Sequence, residues 1–508
     1  MISVTLTVTL CNTMKRDENP RKADDIRRCG PSDQCNARCN AMQHIKAQCD
    51  ERKRTNIMNL CAFKDKLFEA AQAAGLDEYE LYCKRSTSFE VIVFEEEIDE
   101  YKSEHTFGVS FRGKVNGKMG YASSEKIDES VIAFLVDNVK QNAALIEDED
   151  EEVIYGGGAA YPEVVCYNPA LNDISPGVKI ETAMRIERAA LETDERVENL
   201  PLCGFDNEET EIYIANSKGL DLRTISNRFA AGAEVQVEGD DEQVKLAFDD
   251  CDGLDFTKLD PEALGQRAAS KALAMLGASP VASGKYAVVF EPRPVAEMLE
   301  VWVPSFSAER ARKGFSLLAG KLNEKIAADC ITIIDDPLMP GQSATTPFDS
   351  EGVASRTKTV IDGGVFKTFL HNTKTARKDG VAPTGNGFKE EPELPVGIAA
   401  TNFYIKPGTH SHDGLLAQMG DGLVITTLDN LEGAHETSGD FSLQASGFLV
   451  EGGKITRPVD LITVSGNFFS MIKEVVAVGD NLEFRLGNTT NNAASPSLYV
   501  KMLDVAGY

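Results

Sequence analysis

The sequence predicts an α+β fold: mixed α/β N-terminal and central domains followed by a strand-rich C-terminal domain, built as an antiparallel sheet or barrel. Three observations predict it. Residues 63–142 run helix, alternating strands, helix, and residues 176–277 repeat that mixture. Beyond Cys330, short strand-like runs follow one another between glycine-rich turns, a density that suits an extensive antiparallel sheet or barrel. A chain of 508 residues, 42% hydrophobic and 26% charged, has the length of about three domains and the composition of packed cores.

Composition and patterning divide the chain into an extension (1–57), an N-terminal domain (58–145), a central domain (146–280) and a C-terminal domain (281–508). Phe63, Leu67 and Ala71 share one face of a helix that Gly75 stops. The runs ELYCKR, FEVIVF and EEEIDEY then alternate apolar and polar residues. Thr106 to Val115 and Lys118 to Ala122 flank Asn116-Gly117, a hairpin signal because both turn residues tolerate positive φ. A second helix covers Ser124 to Asn142. The acidic run at 146–152 and the glycines 156–158 read as a solvated linker.

In the central domain, Pro176 to Thr193 is helical. Glu211 to Val237 holds three strand-like runs broken at Ser217-Lys218-Gly219. Asp260-Pro261-Glu262 opens a helix, with a capping carboxylate, a proline in the first turn and an acid beside it. The C-terminal domain begins with the buried strand KYAVVFEP, a helix from Pro294 to Val303 stopped by Pro304, and a broken helix from Ser307 to Gly320. Strands follow in ITIIDDP, in a hairpin turning at Asp362-Gly363-Gly364, in TNFYIKPG and in GLVITTL. The stretch Leu431 to Asn467 adds a hairpin turning at Gly452-Gly453, which Pro458 closes, and a new strand from Ile462.

The net charge of −28 is unevenly spread. Residues 1–57 hold 11 Lys/Arg against 7 Asp/Glu, leaving 41 against 73 in the remainder. So acidic a body argues against nucleic acid and against an anionic membrane as partners. No apolar run of about 18 residues is present, the length a spanning helix requires. Cys11, Cys29, Cys35, Cys39 and Cys49 sit in the extension without a CxxC pair, a weak zinc pattern. The other six cysteines are scattered, which predicts buried thiols in a reducing, cytoplasmic compartment. The apolar start of the extension lacks a preceding basic segment and makes a poor signal peptide. Met58 opens the stretch whose composition matches the rest, so the extension is expected to be poorly ordered or to precede the true start.

Leu431 to Asn467 holds the most suggestive chemistry. His435-Glu436 and the turn Gly439 to Ser442 read either as metal chemistry or as a tightly folded β-scaffold. A zinc hydrolase needs about three protein ligands, an open position and a carboxylate base. The six histidines are His44, His105, His371, His410, His412 and His435, so none lies between 106 and 370. The segment Arg293 to Gly314 offers Glu297 and Glu300 but no histidine, and the last cysteine is Cys330. The ETSG sequence after His435 breaks any helix that would bring Asp440 round to it. His410-Ser411-His412 reads as an exposed loop. No nucleophile elbow or Walker phosphate loop stands at a strand-to-helix turn.

Several separated motifs carry a resemblance. TIIDDP (Thr332 to Pro337), HNTKTARK (His371 to Lys378), TGNG (Thr384 to Gly387), GDFS (Gly439 to Ser442) and Ser446 to Ile455 together resemble the TldD/PmbA family. FEEEIDEY and Gly108 to Ser124 are similar to its first domain, so the likeness covers roughly residues 60–508. It implies two subunit types that form a heterodimeric zinc-dependent protease acting on small unfolded peptides. Modulator of DNA gyrase is an older name, for which so acidic a chain offers no physical support. The TldD type carries a His-Glu-x-x-x-His helix and a cysteine near its C-terminus, and the PmbA (TldE) type lacks them. That helix would fall just after KYAVVFEP.

This chain resembles the PmbA type. The resemblance therefore implies a non-catalytic subunit, with no cofactor of its own and zinc in a TldD-like partner subunit, an unfolded peptide as substrate, and a homodimer when isolated. Two alternatives stay open: a metallopeptidase in its own right with non-standard ligands, and a non-enzymatic regulatory binding protein. No catalytic or metal residue is assigned. Asp440, Ser442 and Asn467 are candidates for lining a peptide cleft, against the reading that Asp440 caps a turn and Asn467 sits in a loop. Arg377 and Lys378 are candidates for gripping a peptide carboxylate, against simple pairing with surface acids.

Overall fold

The computed structural model describes residues 60–147, 152–158, 160–240, 242–486 and 489–508. The extension 1–57, with its cysteine pattern, lies outside the described residues. Helix α1 (Leu60–Ala73) buries Phe63, Leu67 and Ala71, the face its spacing predicts. Strand β1 (Glu78–Phe94) is a single strand, because neighbours bond along both of its edges and leave no room for a turn. Strands β2 (Glu97–Val115) and β3 (Lys118–Ser124) meet at Asn116-Gly117, where φ is 52° and 81°. Helix α2 (Glu129–Ala144) begins later than its apolar spacing suggests, since Asp128 caps it by accepting from the Ser130 N–H.

Helix α3 (Pro176–Leu191) precedes β4 (Val197–Asn216), β5 (Asp221–Glu238) and β6 (Val244–Gly253). Residues 211–237 thus belong to two long strands rather than three runs. Helix α4 (Pro261–Ala274) starts where Asp260 accepts from the Ala263 N–H. The six strands form one antiparallel sheet in the order β3-β2-β1-β4-β5-β6. The β1–β4 pairing, Glu80–Ile92 against Gly204–Asn216, runs this sheet across position 146 without interruption. All four helices pack on one face, α1 and α2 over Leu81 and Phe111, α3 and α4 over Phe205 and Phe229. Period-two alternation sends the intervening residues, among them Arg112, Asp206 and Arg228, to the other face.

The remaining chain lies against that second face. It comprises β7 (Gly284–Phe290), α5 (Pro292–Trp302), α6 (Ala308–Arg312), β8 (Ile333–Asp335), β9 (Lys358–Asp362), β10 (Val365–Phe366) and α7 (Thr373–Asp379). Next come β11 (Gly387–Phe388), β12 (Gly397–Ile398), β13 (Asn402–Ile405), α8 (His412–Met419), β14 (Gly422–Asp429), β15 (Asp440–Glu451) and β16 (Lys454–Asn467). It ends with α9 (Phe468–Met471), β17 (Val475–Val478), β18 (Glu483–Phe484), β19 (Asn492–Ser495) and β20 (Leu498–Ala506). Strands β7, β14, β15, β16 and β20 close into a barrel, because β16 pairs with both β15 and β20. A second sheet runs β10-β9-β8-β13-β19-β18, and Trp302, Phe306, Phe366, Phe403 and Phe468 belong to the core of this half.

Three local readings are corrected here. Pro458 does not end a strand: β16 continues through it, with Phe448 opposite, and the register shift at the neighbouring Val459–Ile462 absorbs a residue that cannot donate. Leu461 sits in that shift at φ 54°. The 307–320 segment has only the one short helix α6 before turning. His412 starts α8, which Ser411 caps, so only His410 of that pair is an exposed loop residue. Cys83, Cys166 and Cys203 are buried thiols, whereas Cys61 and Cys330 are exposed. Among the described residues no helix is long and apolar enough to cross a membrane.

Candidate functional site

The turn 435–440 is folded back on itself: the His435 N–H donates to the Asp440 carbonyl and the Gly439 N–H to that of His435. Asp440 and Asn467 pair across β15 and β16. The Asn467 amide donates to the Asp440 carboxylate at 2.9 Å and to the Ser438 carbonyl at 2.8 Å, while its oxygen caps α9 at Ser470. The Asn467 amide first, and the Ser438 side chain second, hold the Asp440 carboxyl below its usual range by hydrogen bonding to it. The two residues are thus brought together, in a role that supports the turn. Ser442 lies two positions along β15, exposed on the same face as Asp440.

Arg377 and Lys378 are exposed in the last turn of α7. Helix α6 links them to the turn. Its Arg310 pairs with Glu436, and its Arg312 pairs with Asp379 beside them. His371 approaches that same Asp379 at 3.9 Å. The five candidates therefore fall in two groups, bridged by arginines of a short helix that sequence reasoning did not single out.

Helix α5 occupies the place where the resemblance puts a metal motif. Its apolar face is anchored by Trp302, fully buried, which stacks on Phe468 with centroids 4.4 Å apart and donates to the His435 carbonyl. Its acidic side is neutralised by arginine. Arg293 bonds Asp250 of β6 at 2.6 Å and Glu297 at 3.3 Å. Arg485 pairs with Glu300 and approaches Glu297 at 3.9 Å. Guanidinium charge is permanent, so Glu297 and Glu300 are held by fixed cations of this chain. With no imidazole or thiolate in the segment, the residues present do not fit a zinc centre. Among the described residues, no three His, Cys, Asp or Glu side chains lie close enough to hold a metal ion.

The motifs of the C-terminal half converge on a buried network instead. Asp335 of TIIDDP, with no exposed surface, pairs with Lys358 at 2.9 Å and accepts from the Asn386 amide and the Thr401 N–H, each at 2.7 Å. Thr384 of TGNG donates to the Asn386 oxygen and accepts from the His371 N–H at 2.7 Å, which fixes the start of HNTKTARK. A second cluster joins this half to the sheet. Arg112 holds Glu80 at 2.7 Å, and its charge also acts on Glu351, which accepts from Thr373 of α7. Asp349 accepts from the N–H groups of Glu351, Val353 and Gly387. Burial first, and the Glu351 charge second, push the Asp349 carboxyl up; burial pushes Glu351 up as well, against the pull of Arg112. The only sequence signal for these groups was an acid placed inside an apolar run, as in IIDD.

Three family profiles match in order: PmbA/TldA metallopeptidase domain 1 over residues 79–143, its central domain over 169–276 and its C-terminal domain over 283–507. The Metalloprotease PmbA homolog of Haemophilus influenzae is 27% identical over 416 residues, covering 80% of this chain and 87% of that protein. Metalloprotease PmbA of Escherichia coli O157:H7 is 29% identical over 348 residues, 68% of this chain and 73% of its own length. A Thermotoga maritima structure, described as a proposed modulator of a DNA gyrase, superposes with a TM-score of 0.82 at 31% identity, covering 88% of this chain and all of its own. TldE from Thermococcus kodakarensis shares the fold, with a TM-score of 0.80 at 24% identity over 88% of this chain and all of its own.

Proposed function

The chain belongs to the PmbA/TldD family, and on that footing we propose that it is a PmbA/TldE-type subunit of a zinc protease, completing a peptide cleft whose metal a TldD-like partner holds. The observation behind this reading is helix α5, whose Glu297 and Glu300 are committed to Arg293 and Arg485. Zinc in the partner would supply Lewis acidity and an activated water. The work left to this chain is binding and orientation. A strand-rich half can take an extended peptide through backbone hydrogen bonds, which bind many sequences alike. In this reading Arg377 and Lys378 receive a peptide carboxylate, and the 435–440 turn with Asp440, Ser442 and Asn467 shapes the cleft wall.

Co-expression with a TldD-like homologue tests it. The expected result is a stable heterodimer with stoichiometric zinc that cleaves unfolded peptides, while this chain alone does neither. Stoichiometric zinc and cleavage by this chain alone would overturn the reading in favour of an independent metallopeptidase. Recovery of a stable complex without any TldD-like chain would favour a regulatory binding protein.

A further inference from the structure

Two exposed apolar patches of opposite charge stand on this chain. The first is the tip of the β1–β2 hairpin, residues 94–100, which reads FEEEIDE and holds five acids and no base. Phe94 and Ile98 are 40% and 38% exposed among them. Glu95 and Glu96 both hold left-handed backbone, at φ 53° and 56°, which side-chain-bearing residues rarely adopt unless their surroundings fix it. Glu187 of α3, fully buried, does so by accepting from the Glu96 N–H at 2.9 Å. Arg188 stands 3.8 Å from Glu96 and Lys102 pairs with Glu100 at 2.7 Å, so the five acids still outnumber the cations beside them.

The second patch is the segment 312–325 after α6, with four Arg/Lys against one acid. Ser316 and Leu318 are buried and pin it: the Ser316 hydroxyl donates to the Ser305 carbonyl, and the Leu318 N–H donates to the Ser316 hydroxyl oxygen. The chain turns at Gly314, Gly320 and Asn323, all at positive φ. Phe315, Leu317 and Leu322 face outward beside these anchors, at 52%, 41% and 47% exposure. Arg312, Lys313 and Lys325 pair with Asp379, Glu309 and Asp329, but at exposed positions, where such pairs contribute little and exchange readily.

Apolar side chains grouped on an ordered, hydrogen-bonded segment mark contact surfaces, unlike those scattered singly. With a net charge of −28, two copies of this chain repel unless an acidic patch of one meets a basic patch of the other. The hairpin tip and the 312–325 segment match in both respects, apolar to apolar and acid to base. We propose that the β1–β2 tip of one copy docks on the 312–325 segment of a second copy, and the reverse, across a two-fold axis. Phe94 and Ile98 then pack on Phe315, Leu317 and Leu322, while the carboxylates of the tip meet Lys313 and Lys321. The two-fold arrangement uses both patches of both chains and closes the assembly at a dimer. This contact goes beyond the subunit reading above and does not depend on it.

Sedimentation velocity of the full chain over a concentration series tests it by charge exchange. One variant carries Glu97→Lys with Asp99→Lys, the other Lys313→Glu with Lys321→Glu, and none of the four positions is buried. The parent should dimerise, and either variant alone should dissociate at least about tenfold more readily, because like charges then face each other. Mixing the two variants should restore the dimer, since both contacts again pair acid with base, and so should all four substitutions in one chain. That recovery separates lost docking from misfolding. Variants that dimerise as tightly as the parent overturn the contact. So does a parent that stays monomeric by itself and associates only with a TldD-like homologue, a result under which the subunit reading stands. If the charge exchange behaves as stated while no TldD-like chain binds, the contact stands and the subunit reading falls.

Discussion

Replacing Lys358 by methionine is the sharpest test of how the C-terminal half is held. Lys358 is 7% exposed and faces Asp335, which has no exposed surface at all. The substitution keeps the length of the side chain but removes the only cation paired with that carboxylate in the described structure. Breaking a buried pair from one side costs about 3–5 kcal/mol, because an uncompensated charge stays inside. Asp335 keeps its donors on Asn386 and Thr401, which places the expected loss at the low end, ~3 kcal/mol. For a unit of roughly 150–250 residues that is a fall in Tm of about 6–12 °C. Differential scanning calorimetry reads it directly. The double variant Asp335→Asn with Lys358→Met removes both charges and should recover about 1 kcal/mol or more of the loss. A single variant melting within about 2 °C of the parent, or a double variant less stable than both singles, would refute the reasoning.

Three further outcomes are expected. Trp302→Ala, at a fully buried site stacked on Phe468, should cost about 3–5 kcal/mol in chemical denaturation and speed hydrogen exchange in the 435–440 turn, which leans on the indole N–H. Asn467→Ala removes the α9 cap, worth about 1 kcal/mol, and frees the Asp440 carboxyl. A carboxyl held low stabilises above its unfolded value near 4 and loses that contribution below it, so the gap between parent and variant should narrow as pH falls through about 4. Asp206 behaves oppositely: burial first, then Glu90, Glu208 and Asp252, push it up to about 6 against the pull of Arg228. Between about pH 4 and 6 the folded state binds the extra proton, so the parent should gain stability relative to Asp206→Asn as pH drops from 7 to 5, read as Tm against pH.

How much of this was legible in the residues can be followed element by element. Asn116-Gly117 announced its hairpin because its conformation is a local property of those two residues, and Gly363-Gly364 and Gly452-Gly453 did the same with φ between 53° and 79°. Asp260 announced its cap for the same reason. Pro458 misled, because a proline says only that one N–H is missing. Whether the ladder needs that N–H depends on the partner strand. His435-Glu436 looked chemical in one dimension, whereas folding commits the Glu436 side chain to Arg310 and the His435 carbonyl to Trp302. Asp440 and Asn467, 27 positions apart, meet because the β15–β16 register places them opposite each other.

The sequence by itself determined the α+β alternation, the positions of the tight turns, the resemblance to PmbA-type proteins and the lack of histidine between 106 and 370. These depend on residue type and near-neighbour spacing. Only the tertiary structure decided that β1 and β4 carry one sheet across the acidic segment, that five strands close into a barrel, and that Glu297 and Glu300 face Arg293 and Arg485. It also decided that Asp335, Lys358 and Asn386 share one buried site, and that the buried Asp206 faces Arg228 at 3.7 Å. The physical reason is the same in each case. A side chain's charge and hydrogen-bonding groups acquire a role only from what stands within a few ångströms, and those neighbours come from strands and helices far away along the chain.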